Sequence, residues 1–386
     1  MKYHVPHKKD GTATTQVACA LLFCLFSFCW LFWFQGDVLA VAQHVLSGGA
    51  TTYNRAIGAV LITFVLLLLQ RGVFSLIRLR HYSHALTYLP SMLLLAVISD
   101  ISTDIDQHFT LGNWYWAVPL TLAVWGFSTW LARQMIPFGS GERRTGLLLR
   151  QFWVNTLMMA VMMLVMVAVS NSDAVFHYRA YAEVALKNGQ ADKAAAVGKR
   201  SLETDVHLTM LRIFALSRQG LLAEHLFQYP IAGRSADMLP LMGSASRLLL
   251  LSPDSLWRHF GARPAQGMDT RCYLHALMSD TLATSAAVDY LLCGRLIDRD
   301  IDDFARQLPQ YRSVGDSLPR YYREALTLYT HLRAHPTVVY HHPVMDEDWK
   351  NLQEIESRYR ESAERRQKVF EKYRDTYWYY YFYAEK

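Results

Sequence analysis

Acidic side chains are scarce in the first 170 residues of this 386-residue chain. Six occur there, at Asp10, Asp37, Asp100, Asp104, Asp106 and Glu142. The rest of the chain has the charge density of an ordinary soluble protein, so most of the net charge of +6 comes from the amino-terminal part. This change in composition indicates a membrane part followed by a soluble part. The soluble part lacks an arginine- and lysine-rich face with interleaved aromatic residues, so we expect no nucleic-acid partner.

Sequence signatures of catalysis and nucleotide binding are also missing. None of the patterns G-x-S-x-G, G-x-x-x-x-G-K-[ST] or G-x-G-x-x-G occurs. We therefore expect no cofactor, and a protein without enzymatic activity is favoured over an enzyme. Of the five cysteines, three lie in the first apolar stretch. Cys272 and Cys293 could pair outside the cytoplasm, but each lies in an apolar helical pattern that favours two small buried side chains.

Five apolar stretches occupy residues 17–170 and predict a five-span transmembrane domain after a short segment, residues 1–16. They are Val17–Phe34, Ala56–Phe74, Leu86–Ile101, Trp114–Leu131 and Phe152–Val169. About 20 apolar residues cross the hydrocarbon core of a bilayer. The first stretch is too long and too aromatic for a cleaved signal peptide, and the third is short enough for a re-entrant segment to be the alternative. No ionisable residue lies near the middle of a span, which disfavours a proton or ion pathway.

Basic residues between the stretches fall almost entirely on one side. That side has ten: Lys2, Lys8, Lys9, Arg71, Arg78, Arg80, Arg133, Arg143, Arg144 and Arg150. The short loops of the other side have only Arg55. Positively charged loops stay in the cytoplasm, so the pattern predicts a multi-pass inner-membrane protein with a cytoplasmic amino terminus. With five spans, residues 171–386 form a periplasmic domain.

The periplasmic domain is predicted to be all-α, with helix pairs that resemble tetratricopeptide repeats (TPR). Three pairs are expected, at 178–186 with 191–202, 205–218 with 221–227, and 285–296 with 299–308. Two further helices follow, one from Pro319 to Arg333 and a long final one that starts at Asp346 and runs to Tyr373. Stacked helix pairs form a curved solenoid with a concave binding face. The fold class is therefore a transmembrane helix bundle followed by a TPR-like α-solenoid.

Two groups of residues are candidate sites. His331 and His335 are four residues apart on one predicted helix, with His341 and His342 close behind, which is a spacing found in metal sites. A polar turn is favoured over a metal site, because no metalloprotease-like pattern frames the histidines. The second group is an unbroken aromatic run, which either packs along the solenoid or docks a partner: Tyr377, Trp378, Tyr379, Tyr380, Tyr381, Phe382 and Tyr383.

Several segments resemble an uncharacterised family of Bacteroidota membrane proteins. They are LRIFALSRQGLLAEHLFQYP, LPRYYREALTLYTHL, VVYHHPVMDEDW and VFEKYRDTYWYYYFY. The resemblance covers most of residues 176–386. It implies an amino-terminal multi-span region joined to a TPR-like domain, and it implies no chemistry.

The function expected from this architecture is a membrane-anchored scaffold. Its partners would be the lipid bilayer and an envelope protein or extended peptide held by the periplasmic domain. The alternative is an accessory subunit of a membrane transporter or membrane enzyme. Buried polar residues converging on a cavity would favour the alternative, whereas a smooth apolar groove would favour the scaffold.

Overall fold

The computed structural model describes residues 12–79, 81–107, 110–135, 150–279, 284–315, 317–359 and 361–384. These residues form eighteen α-helices, with a long irregular segment between His225 and Pro253, and they contain no β-strand. The predicted all-α fold is therefore confirmed. The chain divides into two compact units, the amino-terminal unit Met1–His177 and the carboxy-terminal unit Tyr178–Lys386. Six of the basic residues used to orient the chain lie outside the described residues: Lys2, Lys8, Lys9, Arg80, Arg143 and Arg144.

The amino-terminal unit is a bundle of apolar helices. Its helices are α1 (Thr12–Cys29), α2 (Gly36–Leu46), α3 (Arg55–Ile77), α4 (Leu89–Ser99), α5 (Trp114–Met135) and α6 (Arg150–Val169), and α7 (Ala174–Lys187) begins at its end. Helix α1 packs against α3 and α6, and α4 packs against α3, α5 and α6. Side chains on the outside of the bundle are apolar, which is the composition that a lipid environment favours.

Four helices are long and apolar enough to cross a membrane: Ala13–Phe34, Arg55–Ile77, Tyr82–Ser99 and Arg150–Val169. They correspond to the first, second, third and fifth predicted spans. Helix α5, the fourth predicted span, has 22 residues but is not in this group. Its sequence contains four Trp besides Pro119, together with polar side chains such as Gln134, and these lower its mean hydropathy. That α5 also crosses stays a prediction.

The first apolar helix changes direction in a way that the sequence pattern does not show. A π-helical turn, Trp30–Phe34, ends it, and α2 then begins after the fully buried Gln35. The Trp30 indole N–H donates to Ser99 Oγ over 2.9 Å, and the Gln35 amide donates to the Asn171 carbonyl over 3.1 Å. These polar contacts hold the turn against the ends of α4 and α6. Inserted turns of this kind are a common cause of bends in helices.

The third apolar helix begins with a 3-10 segment, His81–Tyr88, that continues into α4. The Asn155 side chain, on α6, accepts the backbone N–H of Ala85 in this segment over 2.7 Å. The Gln70 amide donates to Thr87 Oγ1 over 2.9 Å. His84 is also buried here, with its ring edge-on to aromatic rings. It precedes the predicted third span. The polar residues of this cluster serve the helix start.

The carboxy-terminal unit contains the remaining helices. They are α8 (Ala191–Ala196), α9 (Val206–Arg218), α10 (Leu222–His225), α11 (Pro253–Phe260), α12 (Thr270–Ser279), α13 (Ser285–Ile297), α14 (Ile301–Tyr311), α15 (Arg320–Leu332), α16 (Pro343–Arg358), α17 (Ser362–Tyr373) and α18 (Tyr377–Tyr383). From α13 to α18 each helix packs on the one before it, in the manner of a solenoid. The second helices of the first two predicted pairs, α8 and α10, have only six and four residues.

Several predicted boundaries are wrong. Pro309 was expected to end its helix, but it lies inside α14 near the carboxyl end. The predicted long final helix is two helices, because α16 ends at Arg358 and α17 begins at Ser362. Helix α16 also begins at Pro343, so Asp346 lies in its first turn and is not its cap. Of the two cysteines expected to be buried, Cys293 is buried and Cys272 is exposed.

Candidate functional site

The aromatic run forms a short helix, α18, and not a strand. Thr376 caps this helix: its hydroxyl accepts the Tyr379 N–H over 3.2 Å and donates to the Tyr373 carbonyl over 2.7 Å. A threonine at this position satisfies backbone groups that have no partner inside the helix. The cap fixes which aromatic rings face the rest of the unit.

One face of α18 is buried in the carboxy-terminal unit. Tyr377 and Trp378 are almost without solvent exposure. The Trp378 indole N–H donates to the Glu324 carbonyl over 2.8 Å, and the Tyr380 hydroxyl donates to the Ile297 carbonyl over 2.7 Å. The Phe227 ring lies 5.1 Å from the Tyr377 ring and 4.7 Å from the Tyr380 ring. The aromatic run thus contributes to the core of its own unit.

The other face of α18 keeps some contact with solvent. Tyr379, Tyr381 and Tyr383 are partly exposed, and Phe382 is 42% exposed. Tyr383 donates its hydroxyl proton to Glu356 of α16. Docking of a partner on this run therefore stays a prediction for the exposed face alone.

The four candidate histidines do not form one site. His331 on α15 lies 3.2 Å from Asp346 Oδ1, and His341 lies 3.4 Å from Asp346 Oδ2. Helix α15 ends at Leu332, before His335. The prediction that His331 and His335 share one helical face is therefore wrong. The residue before a proline disfavours the helical conformation, and Pro336 follows His335. In the part of the chain that the structure describes, no group of three His, Cys, Asp or Glu side chains could hold a metal ion.

Glu324 is a buried carboxylate that joins α15 to α18. It accepts the Tyr377 backbone N–H over 2.6 Å and the Arg320 guanidinium Nε–H over 2.7 Å. Burial raises the pKa of Glu324 to about 7, and the Arg320 charge and the Tyr377 N–H oppose that rise. The carboxylate acts as a hydrogen-bond acceptor for the start of α18.

Glu183 is a second buried carboxylate, and it holds an irregular segment. It lies on α7 and accepts backbone N–H groups from Leu249 at 3.0 Å, Leu250 at 2.5 Å and Leu251 at 2.9 Å. Arg179, one helical turn earlier, lies 3.9 Å away. Burial raises the pKa of Glu183, and the three N–H groups and Arg179 oppose this.

One pair of side chains, Ser217 and His259, resembles a catalytic serine–histidine pair. Ser217 Oγ lies 2.9 Å from His259 Nε2, but among the described residues no carboxylate hydrogen-bonds the other ring nitrogen of His259. Burial lowers the pKa of His259, with Arg218 adding to the effect. A serine–histidine pair needs an orienting acid and an accessible nucleophile to act in acyl transfer, and Ser217 is buried.

The carboxy-terminal unit contains an open cleft of about 1010 Å³, lined by both polar and apolar residues, which we call the arginine cleft. Its lining comprises Ile231, Ala232, Gly233, Arg234, Ser235, Ala236, Met242, Gly243, Asp269, Thr270, Arg271, Ile297, Asp298, Arg299 and Tyr380. These residues come from the segment after α10, the start of α12, the end of α13 and one turn of α18. The α18 helix therefore both completes the core and forms part of the cleft wall.

Short hydrogen bonds shape the irregular wall of the arginine cleft. Asp237 accepts the backbone N–H of Arg234 over 2.9 Å and of Ala245 over 2.7 Å. Asp298 accepts the Ser235 N–H over 3.0 Å and the Ser235 hydroxyl over 2.5 Å. Gly233 has a φ of +90°, and a Cβ there would lie 3.0 Å from Asp237 Oδ2, so only glycine fits. The wall is preformed by the protein's own contacts.

The cleft lining carries three arginines and two aspartates, so its formal charge is positive. Both oxygens of Asp298 are engaged with Ser235, and Asp269 accepts the Cys272 N–H over 2.7 Å, a bond that lowers the pKa of Asp269. Arg299 has a left-handed backbone and donates to the Ala384 carbonyl over 2.7 Å, with its guanidinium 5.0 Å from the Tyr380 ring centre. Arg234 and Arg271 are exposed along the lining. Exposed guanidinium groups bind carboxylates. An open cleft gives the carboxylate side chains of a protein segment access to such groups.

The sequence pattern does not predict the arginine cleft. Its arginines are separated by 37 and 28 residues and share no motif. The available signal was the non-repetitive stretch 231–270, which the helix-pair pattern could not accommodate. Loops placed by a rigid helical scaffold often carry binding residues.

Comparison with known proteins adds one likeness. No curated protein and no solved structure matches the chain. A match to a family of unknown function (DUF6057) covers residues 264–384, which include α12 to α18 and part of the arginine-cleft lining. The carboxy-terminal third of this protein is thus similar to a family of unknown function.

Proposed function

We propose that this protein is a membrane-anchored scaffold that holds an envelope partner in the arginine cleft. The amino-terminal unit would be the anchor, in the inner membrane of a Bacteroidota-type envelope, and the carboxy-terminal unit would face the periplasm. The observation that carries the proposal is the arginine cleft, which combines a preformed wall with two exposed arginines, Arg234 and Arg271.

The chemistry of the cleft specifies the kind of partner. An extended, acidic protein segment would offer carboxylates to the two guanidinium groups and an apolar residue to Met242, whose side chain is 68% exposed. Charge pairs at the edge of an interface steer association and set specificity. The aromatic run contributes indirectly, because Tyr380 supports Arg299 at the cleft wall.

Site-specific photo-crosslinking in cells of the native host tests the proposal. A photoreactive amino acid replaces Met242 in the full-length protein, and the matched control replaces Leu202, which is 69% exposed but does not line the cleft. We expect one discrete adduct from position 242 and none of the same mass from position 202. Mass spectrometry of that adduct should identify an acidic segment.

Charge reversal gives the second arm. The double substitution R234E and R271E should reduce the position-242 adduct by on the order of tenfold, which corresponds to loss of about 1.4 kcal/mol. The control pair, R200E and R258E, makes the same charge change at exposed arginines outside the cleft and should leave the adduct unchanged. Equal adducts at positions 242 and 202, or equal losses in the two double variants, would contradict the proposal.

A further inference from the structure

The amino-terminal unit contains a cavity of its own, of about 990 Å³, which we call the carboxylate cavity. Its lining residues come from α2 and the segment after it, from α3, from the end of α4 and the segment that leads to the start of α5, and from the segment between α6 and α7. The cavity therefore lies at one end of the helix bundle. Its volume is at the upper end of the roughly 300–1,000 Å³ typical of small-molecule sites.

One wall of the cavity is a continuous apolar face of α2. Leu39, Ala42 and Leu46 line it at spacings of three and four residues, so they share one side of the helix. The facing wall is formed by isoleucine and valine side chains: Ile62, Val97, Ile98, Ile101 and Ile105. An apolar chain that fills a slot of this kind removes apolar surface from water, which is favourable.

The charged groups that line the cavity are acidic. Asp100 and Asp173 line the cavity, and among its described lining residues there is no Lys, Arg or His. Asp100 uses Oδ2 to accept the Trp114 indole N–H over 2.7 Å. Asp173 uses Oδ1 to accept the N–H groups of Val175 and Phe176 at the start of α7. The second oxygen of each carboxylate has no hydrogen bond from another described residue and can meet a ligand.

Tyr53 also lines the cavity, but its hydroxyl is shielded from solvent and lies against Gly58 of α3. The cavity therefore offers a ligand two carboxylates and an apolar slot.

We propose that the carboxylate cavity binds a lipid of the surrounding bilayer whose headgroup carries an ammonium group, with an acyl chain along the α2 face. The ammonium group pairs with Asp100 and Asp173, and the chain covers Leu39, Ala42 and Leu46. An anionic headgroup would instead meet two like charges. A small soluble cation would leave the apolar slot unfilled. The inference rests on the membrane placement of the amino-terminal unit and is independent of the arginine cleft.

Native mass spectrometry of the full-length protein tests this site. Nanodiscs carry equal amounts of phosphatidylethanolamine and phosphatidylglycerol with the same acyl chains, and the ratio of the two lipids that stay bound is measured. The unsubstituted protein should retain phosphatidylethanolamine in preference. The D100N and D173N substitutions should each lower that preference by about three- to fivefold, the effect of one partly exposed ion pair.

Two further variants separate charge from packing. The D104N substitution removes an exposed acid from the same loop, outside the lining, and should leave the preference unchanged. The L46W substitution narrows the slot and should reduce retention of both lipids without changing their ratio. Asparagine caps helices as well as aspartate does, so the D173N variant should retain the start of α7. It therefore tests the site even if the D100N variant does not fold.

Three outcomes would overturn the inference: equal retention of the two lipids, preferential retention of phosphatidylglycerol, or an effect of D104N equal to that of D100N. The photo-crosslinking adduct at position 242 is a separate readout, because the carboxylate cavity and the arginine cleft share no lining residue. Failure of the scaffold proposal would therefore leave the lipid result standing, and the reverse also holds.

Discussion

Two glutamates of the carboxy-terminal unit, Glu183 and Glu324, are fully buried, and each accepts hydrogen bonds from backbone N–H groups. A buried carboxylate is costly unless its oxygens are satisfied, and breaking such contacts costs several times more than breaking an exposed pair. Each glutamate also joins segments more than fifty residues apart in the sequence. The carboxylate oxygens of these two glutamates therefore hold distant backbone segments together.

The E183Q substitution tests the role of Glu183. A glutamine in its place keeps one oxygen for these N–H groups, but it puts an amide NH2 beside the Leu249 N–H and removes the negative charge that holds all three groups and Arg179. We expect a loss of about 2–3 kcal/mol in the local stability of this segment. Hydrogen–deuterium exchange of the full-length protein should then be about 30- to 150-fold faster at the amides of residues 249–251. Exchange unchanged relative to the E203Q variant, which alters an exposed glutamate, would refute this role.

Glu324 predicts a pH dependence of stability. Its pKa in the folded protein is about 7, above the ordinary value of 4.5, so the folded state binds the proton more tightly than the unfolded state does. The stability associated with this proton is complete below about pH 4.5 and is lost as the pH rises to about 7, by about 3 kcal/mol at most. Pulse proteolysis in urea at pH 5 to 8 measures the slope in the full-length protein.

The E324Q variant should have a shallower slope of stability against pH than the unsubstituted protein. Some slope will remain, because burial also raises the pKa of Asp289, with Arg312 and Tyr322 opposing it. The D289N variant is the control that removes only this second contribution. Identical slopes for the unsubstituted protein and E324Q would show that Glu324 does not titrate in this range.

Helix α18 is the element on which the carboxy-terminal unit depends most visibly. Replacing Trp378, which is buried and hydrogen-bonded, by alanine should destabilise the unit by about 3–5 kcal/mol. Replacing Phe382 by alanine removes a similar ring from the exposed face of the same helix and should cost about 1 kcal/mol or less. Pulse proteolysis of the full-length variants measures both values. Similar losses for the two variants would mean that α18 has no preferred buried face.

Sequence patterns predicted the elements with strong periodicity and missed those set by tertiary contacts. The four most apolar helices and α9, α13 and α15 follow directly from apolar spacing. The turn at Trp30–Phe34 depends on Ser99 and Asn171, which are distant in sequence. Pro309 lies two residues before the end of α14, so the hydrogen bond that it removes and the bend that its ring causes affect only the last turn of the helix.

The candidate sites show the same division. The aromatic run was visible because it is contiguous in sequence, and its burial follows from the large apolar area of seven rings. The arginine cleft was invisible because its lining comes from five separate segments between Ile231 and Tyr380. The carboxylate cavity was missed for a related reason, since α2 lies in what was predicted to be the loop between the first two spans. Clefts assembled from distant segments carry no local signature.

At the scale of the whole molecule, the side of the membrane on which the carboxy-terminal unit lies depends on α5. If α5 crosses, five spans place residues 171–386 in the periplasm, and if it does not, four spans place them in the cytoplasm. The ten-to-one distribution of basic residues favours crossing, because only then would Arg133 and Arg150 fall on the same side as the other basic residues, the side predicted to be cytoplasmic.

Reporter insertions at three positions decide between four and five spans. A dual reporter of compartment is placed between Gly112 and Asn113, at Gly141, or after Lys386. We expect periplasmic, cytoplasmic and periplasmic signals in that order. The same signal at positions 112 and 141 would show that α5 does not cross, and a cytoplasmic signal after Lys386 would reverse the placement of the carboxy-terminal unit.

The contact between Glu183 and residues 249–251 has a consequence for how this protein can evolve. Every amino acid except proline supplies the backbone N–H groups that Glu183 binds, so the partner positions are free to drift while the glutamate is not. Statistical methods that infer contacts from paired substitutions need both positions to change together. Among diverging descendants of this sequence, we therefore expect an invariant glutamate facing variable apolar residues, and a contact that covariation does not detect.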